Sequence, residues 1–181
     1  MGNLDMRATA EVLKIHKQEY DPASFPEYVR PDALREGAVH VIVADDENDI
    51  RNLVCFSATV NGFSEVTQAA NGLEAMGTIN ASDAQTVIVS LDNVMPGMKG
   101  THVIEQLIKG GAFDTEAQKT RRLRVFFASS QGTDAIETLR EIPGIEQAMP
   151  FIAVATKPYE DAFAIGDIFK ELQSREVAGA A

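Results

Sequence analysis

A chain of 181 residues, 45% hydrophobic and 24% charged, is long enough for one domain with a sizeable core and short for two, and this composition argues against wholesale disorder. The formal net charge of -11 argues against nonspecific nucleic-acid binding, and the single cysteine, Cys55, excludes an internal disulfide or a cysteine metal cluster. No run of about 18 apolar residues occurs and no signal-peptide centre is visible near the amino terminus, so no membrane insertion and a cytoplasmic location are expected.

In chain order, residues 1–37 come first and stand apart. Asp5 can cap a helix running to about Tyr20, with Leu4, Ala8, Val12 and Ile15 along one face, and Asp21-Pro22 stops it. Pro22, Pro26 and Pro31 then read as a stiff connector. The helix either packs back on its own domain or serves a partner, and both readings stay open. His16, on the same helix, reads as a solvated histidine rather than a phosphohistidine.

From residue 38 onward short β-rich runs alternate with longer amphipathic stretches, the pattern of a parallel sheet covered by helices. Strands are expected at residues 39–44, 65–70, 86–91, 123–128 and 151–155, with helices near 48–60, 73–81, 99–109, 133–141 and 160–173. Asn71-Gly72 closes the second strand and Gly110-Gly111 the third helix. The expected fold is α/β and flavodoxin-like: a doubly wound, five-stranded parallel sheet of order 2-1-3-4-5 over residues 38–175, with residues 176–181 as a tail. Cys55, Met76, Met95 and Met98 are read as packing residues, and the basic cluster from Lys119 to Arg124 as a solvated loop.

Four of the strand segments end in polar residues. Asp45-Asp46 follow Val41-Ile42-Val43, Asp92 follows Val87-Ile88-Val89, Ser129-Ser130 follow Val125-Phe126-Phe127-Ala128, and Lys157-Pro158 follow Phe151-Ile152-Ala153-Val154. A parallel sheet delivers all of them to its carboxyl edge, where this topology places ligand sites. Three neighbouring carboxylates repel one another, and a divalent cation resolves the repulsion. Oxygen-only ligands suit Mg2+, with Mn2+ as an alternative, and the lack of nearby His or Cys argues against zinc. Asp46 and Asp92 are the expected direct ligands, Asp45 binds directly or through water, and a backbone carbonyl near Val94 joins them. A carboxylate beside such a cation can attack phosphorus, and Lys157 with the Ser129 hydroxyl offers the charge and donor that the equatorial oxygens need.

At these residues the chain resembles two-component response-regulator receiver domains. Asp92-Asn93-Val94-Met95-Pro96-Gly97-Met98-Lys99-Gly100 looks like their phosphoacceptor segment, and Val41-Ile42-Val43-Ala44-Asp45-Asp46-Glu47 like their acidic first-strand end. Ala69-Ala70-Asn71-Gly72-Leu73-Glu74-Ala75 is similar to their second strand to second helix passage, and Thr156-Lys157-Pro158-Tyr159 to their lysine corner. The resemblance, similar to that of stand-alone chemotaxis-type regulators, implies that Asp92 accepts phosphate from a sensor histidine kinase or a histidine phosphotransfer protein. It further implies that Asp45 and Asp46 hold Mg2+, that Lys157 contacts the phosphoryl group in front of a commonly cis Pro158, and that Ser129 follows the phosphate.

Two departures bear on output. Val154 stands three residues before Lys157, where the family often has an aromatic switch residue, and the stretches around Gly111 to Thr120 and Ile142 to Met149 are longer than in compact receivers. The leading expectation is therefore a phosphorylation-controlled switch that signals through protein contacts with an unknown downstream protein, around the helices near 133–141 and 160–173 and the strand between them. The alternative is a pseudo-receiver scaffold without phosphate turnover. A haloacid-dehalogenase-type phosphatase fits less well, because the second acid such enzymes carry two residues after the nucleophile is Val94 here.

Overall fold

Buried β-branched runs place the strands, and the observed sheet follows them closely. A computed structural model describes residues 25–129, 135–159 and 162–175. Its five strands are β1 (Arg35–Ala44), β2 (Glu65–Ala69), β3 (Ala84–Asp92), β4 (Arg122–Ser129) and β5 (Ile152–Thr156), all parallel, in the order β2-β1-β3-β4-β5. Among the described residues the α-helices are α1 (Asn48–Val60), α2 (Gly72–Ala81), α3 (Gly100–Lys109), α4 (Thr115–Thr120), α5 (Ala135–Arg140), α6 (Ile145–Ala148) and α7 (Ala162–Ser174). None is long and apolar enough to cross a membrane. The amino-terminal helix expected up to Tyr20, Pro22, and the tail 176–181 lie outside the described residues.

Strand alternation divides the core in two. Val41, Val43, Ile88 and Phe126 point to one face and meet Val54 and Ala58 of α1 and Ile165, Phe169 and Leu172 of α7. Ile42, Val87, Val89, Val125 and Phe127 point to the other, against Met76 and Ile79 of α2, Ile104 and Leu107 of α3 and Leu139 of α5. Met76, Met95 and Met98 are buried packing residues as expected, whereas Cys55 is only half-buried. Both sheet faces being covered explains why the central strands read as continuous apolar runs.

Three features depart from the sequence reading. The connector before the sheet is not a spacer, because β1 starts at Arg35 and residues 25–31 form a strap over α2 and α3. Phe25 is buried against the His102 ring at 5.1 Å, Asn80 accepts from the Val29 N–H at 3.0 Å and donates to the Glu27 carbonyl at 2.8 Å, and Arg121 donates to the Tyr28 hydroxyl at 3.0 Å.

The cluster Lys119 to Arg124 is not a solvated loop either. Lys119 and Thr120 end α4, while Arg121 and Arg124 are fully buried. Their guanidinium groups close helix ends whose last carbonyls lack partners: Arg121 donates to the carbonyls of Ile79 and Ser82 beyond α2, and Arg124 to those of Leu172 and Arg175 at the end of α7. Burial, and then the neighbouring charges of Arg122 and Arg175, pull Arg124 down to about 10.

Finally, the two long stretches fold against each other. The first supplies α4 and the second α6 with a short 3-10 turn (Met149–Phe151), and the Phe113 and Phe151 rings stack across them at 6.0 Å with Arg124 over Phe151 at 5.0 Å.

Candidate functional site

The register sets the site before any side chain is considered. Ala44 lies opposite Leu91, Asp92 opposite Ala128, and Ser129 opposite Thr156, so Asp45, Asp92, Ser129 and the residue after Thr156 end at one level of the carboxyl edge. Glycines let the loops close there. A Cβ on Gly100 would collide with the carbonyl oxygen of Asp92, and one on Gly72 with that of Met98, so the segment between Asp92 and α3 is held from both sides by backbone contact. Gly97, at φ 78°, makes the turn within it.

Within this frame the Lys157 ammonium lies 2.6 Å from Asp45 Oδ2 and 2.7 Å from Asp92 Oδ1, with all three side chains at most 9% exposed. The remaining carboxylate oxygens are held by backbone: the Glu47 N–H donates to Asp45 Oδ1 at 2.9 Å, and the Val94 N–H to Asp92 Oδ2 at 2.8 Å. Backbone also fixes the strand ends, since the Asn93 N–H donates to the Ala128 carbonyl and the Lys157 N–H to that of Ser129. The Lys157-Pro158 peptide is cis.

Burial dominates the electrostatics. It raises Asp92 above the ordinary carboxylate range, against the pull of Lys157 and with a further push from the Asp45 charge. Burial alone would lower Lys157, but its bonds to Asp45 and Asp92 outweigh that and hold the ammonium above its usual value. Tyr159 is also raised, first by burial and then by the same two carboxylates, which places its hydroxyl in their field.

The expected site residues thus fall into two groups. Asp45, Asp92 and Lys157 are in contact. Asp46 is exposed beside them, Val94 contributes its N–H and leaves its side chain 58% exposed, and Ser129 is buried with an Oγ that has no hydrogen-bond partner among the described residues. Ser130 and the start of the following segment lie outside the described residues. The sequence reading quoted Glu47, Gly72 and Tyr159 within its motifs but gave them no role at this edge; the Asn71 cap on Glu74, an N-x-x-E spacing, was the available signal for where Gly72 begins α2.

The donor set fits a hard divalent cation: oxygen atoms only, with the exposed Asp46 carboxylate beside the buried ones of Asp45 and Asp92. Among the described residues no three His, Cys, Asp or Glu side chains converge closely enough to hold a metal by themselves. A cation there would keep several waters, as Mg2+ characteristically does.

Comparison with known proteins agrees with this geometry. Residues 41–118 match the response regulator receiver domain family, a span that contains Asp45, Asp46 and Asp92 and stops before Ser129 and Lys157. No curated protein matches the chain. Among solved structures, the receiver domain of NtrX from Brucella abortus is 23% identical over 75% of this chain and 99% of its own, with a TM-score of 0.57. A CheY-like receiver domain protein from Methanospirillum hungatei JF-1 is 19% identical over 76% and 94%, with a TM-score of 0.55. The receiver domain of the Francisella response regulator 1452 is 23% identical over 75% and 97%, at 0.54. At these identities the structures show a shared fold.

Proposed function

We propose, from the premise that this chain carries a response regulator receiver domain, that it is a phosphorylation-controlled switch of a two-component system with Asp92 as the phosphoacceptor. The observation that carries the reading is the Lys157 ammonium bridging two buried carboxylates at 2.6 and 2.7 Å, one of which has its second oxygen held by the Val94 amide. The partner that chemistry calls for is a phosphohistidine, in a sensor histidine kinase or a histidine phosphotransfer protein. A carboxylate oxygen of Asp92 attacks phosphorus, the phosphorus–nitrogen bond breaks, and the departing imidazole takes up a proton, leaving an acyl phosphate on Asp92. Lys157 then faces the new phosphoryl oxygens, and the Ser129 hydroxyl, which has no hydrogen-bond partner among the described residues, is a donor available to them.

Asp46 and Asp92, with Asp45 directly or through water and the Val94 carbonyl, would hold Mg2+, with Mn2+ as an alternative. Such a cation supplies charge neutralisation at the phosphoryl oxygens.

Output then passes through protein contacts with a downstream protein. Val154 lies half-buried on β5, packed against the core where an aromatic switch would stand, so the readout rests on movement around residues 130–160 rather than on a rotating ring. The same valine favours the second reading, a scaffold that keeps the fold without turnover. Hydrogen exchange with and without beryllofluoride and Mg2+ separates the two. A switch changes exchange across residues 130–160, and a scaffold leaves that region unaltered.

A further inference from the structure

We infer that the cleft where the two long stretches meet, between the start of α4 and the 3-10 turn after α6, receives an arginine side chain of a partner protein. The cleft encloses about 410 Å3, and its floor is the stacked, buried pair Phe113 and Phe151 with Pro150 beside them. Its rim carries the Asp114 and Glu146 carboxylates and the Gln147 amide, all on exposed residues. The turn leads directly into β5, so the cleft lies at the amino edge of the sheet, opposite the edge that holds Asp92. Docking here is independent of phosphorylation and leaves the Asp92 edge uncovered.

The rim acids are not spent on the fold. Asp114 stands at the N-cap of α4 yet makes no cap bond with its side chain. Gly111, at φ 71°, leaves the room its carboxylate takes, since a Cβ there would lie 2.7 Å from Asp114 Oδ2. The lysines flanking the first stretch are engaged, Lys109 with Glu105 and Lys119 with Glu116, each at 2.7 Å. The guanidinium of Arg124 is taken up by the carbonyls of Leu123, Leu172 and Arg175 and by the Gln118 side chain. Asp114 and Glu146 therefore have no ion-pair partner among the described residues, and the net charge of -11 adds its field to theirs.

An acidic rim over an apolar floor selects a cation carried on an apolar stem. A bare metal ion fits poorly, because among the described residues no three His, Cys, Asp or Glu side chains converge to hold one. Lysine and arginine both have the stem, but a planar guanidinium can bond two carboxylates through separate N–H groups and lie against an aromatic ring. The floor already shows that packing from the inside, where Arg124 sits over Phe151 at 5.0 Å. Sites for free small molecules bury roughly 70–90% of the ligand. An open cleft with an exposed rim covers less, so the side chain arrives on a protein whose surface covers the remainder.

The test follows amide chemical shifts of the full chain during titration with N-acetyl-arginine amide, a blocked arginine that stands for the side chain in a peptide. Saturable shifts are expected at residues 113–115 and 146–151, with a dissociation constant of about 1 mM, the range open to a ligand of this size. Asp114→Asn combined with Glu146→Gln should weaken binding about tenfold, and N-acetyl-lysine amide should bind more weakly than the arginine amide. Glu116→Gln, at a side chain 85% exposed and already paired, should bind as the wild type does. Asparagine also suits an N-cap, so the double variant keeps α4, and Glu146→Gln alone makes the comparison if the folded fraction falls. The inference is overturned by the absence of saturable shifts at those residues, by unchanged affinity in the acid variants, or by equal binding of the lysine amide. Putrescine or free L-arginine binding about tenfold tighter than the blocked amide would also overturn it, by making the cleft a site for a free small cation.

Discussion

Replacing Lys157 with Met isolates what holds two acids together inside the carboxyl edge. The substitution keeps the stem and removes an ammonium that lies within 2.7 Å of both Asp45 and Asp92. Because the side chains of the trio are at most 9% exposed, the surface-pair value of at most about 1 kcal/mol does not apply. Breaking a buried pair by removing one partner costs about 3–5 kcal/mol, which is the expected loss at pH 7.5. A proton can replace the missing charge, so the loss depends on pH. Burial already raises Asp92 above its ordinary 3.8, and losing Lys157 raises it further. A carboxyl whose folded-state pKa is raised binds its proton more tightly in the folded chain. Its contribution is complete below about 3.8 and disappears as the pH climbs through the raised value. The Lys157→Met variant is therefore expected to recover much of its deficit on acidification to pH 5, and adding Asp45→Asn should recover it at pH 7.5. Urea denaturation of the wild type, the single variant and the double variant at both pH values measures this. A deficit under about 1 kcal/mol at pH 7.5, or one that does not change with pH, would refute the reasoning.

Other outcomes follow from separate parts of the molecule. Mg2+ at about 100 times its dissociation constant should raise stability by about 2.7 kcal/mol, and Asp46→Ala should remove most of that gain in a thermal melt. His40, buried between the Ser82 and Thr67 hydroxyls at 2.9 and 2.8 Å, is lowered below 6.5 by burial, although Glu65 partly opposes this. The unfolded chain then takes up a proton first, so stability should be complete above about pH 6.5 and fall on acidification, less steeply in His40→Gln. Arg124→Met should lose about 3 kcal/mol in urea denaturation by freeing the carbonyls of Leu172 and Arg175, and Arg124→Lys should not restore it, because one ammonium cannot span the fork.

The sheet order and the convergence of Asp45, Asp92 and Lys157 were legible because each rests on a local signal: a buried apolar run that ends in a polar residue. The five main helices followed from periodicity and from turn residues such as Asn71 and Gly110. What stayed hidden depends on contacts between distant segments. A basic run reads as solvated unless helix carbonyls from far along the chain reach it, as those of Ile79, Ser82, Leu172 and Arg175 reach Arg121 and Arg124. The prolines at 26 and 31 signalled stiffness but gave no hint that Phe25 and Tyr28 between them and beside them would be buried anchors against α3 and Arg121. Likewise the two long stretches were visible as extra length, whereas their joining through Phe113 and Phe151 was not. Val94 was read as offering a backbone carbonyl, and the contact its backbone makes to Asp92 is through the amide N–H, a distinction that residue type cannot carry.

The most direct measurement is intact mass after incubation with acetyl phosphate and Mg2+. The wild type should gain one phosphoryl group and Asp92→Asn none, because Asp92 ends the central strand with its carboxylate between the Lys157 ammonium and the Val94 amide. A wild type that gains no mass, or an Asp92→Asn variant labelled to the same level, would contradict the assignment of Asp92 as the phosphoacceptor.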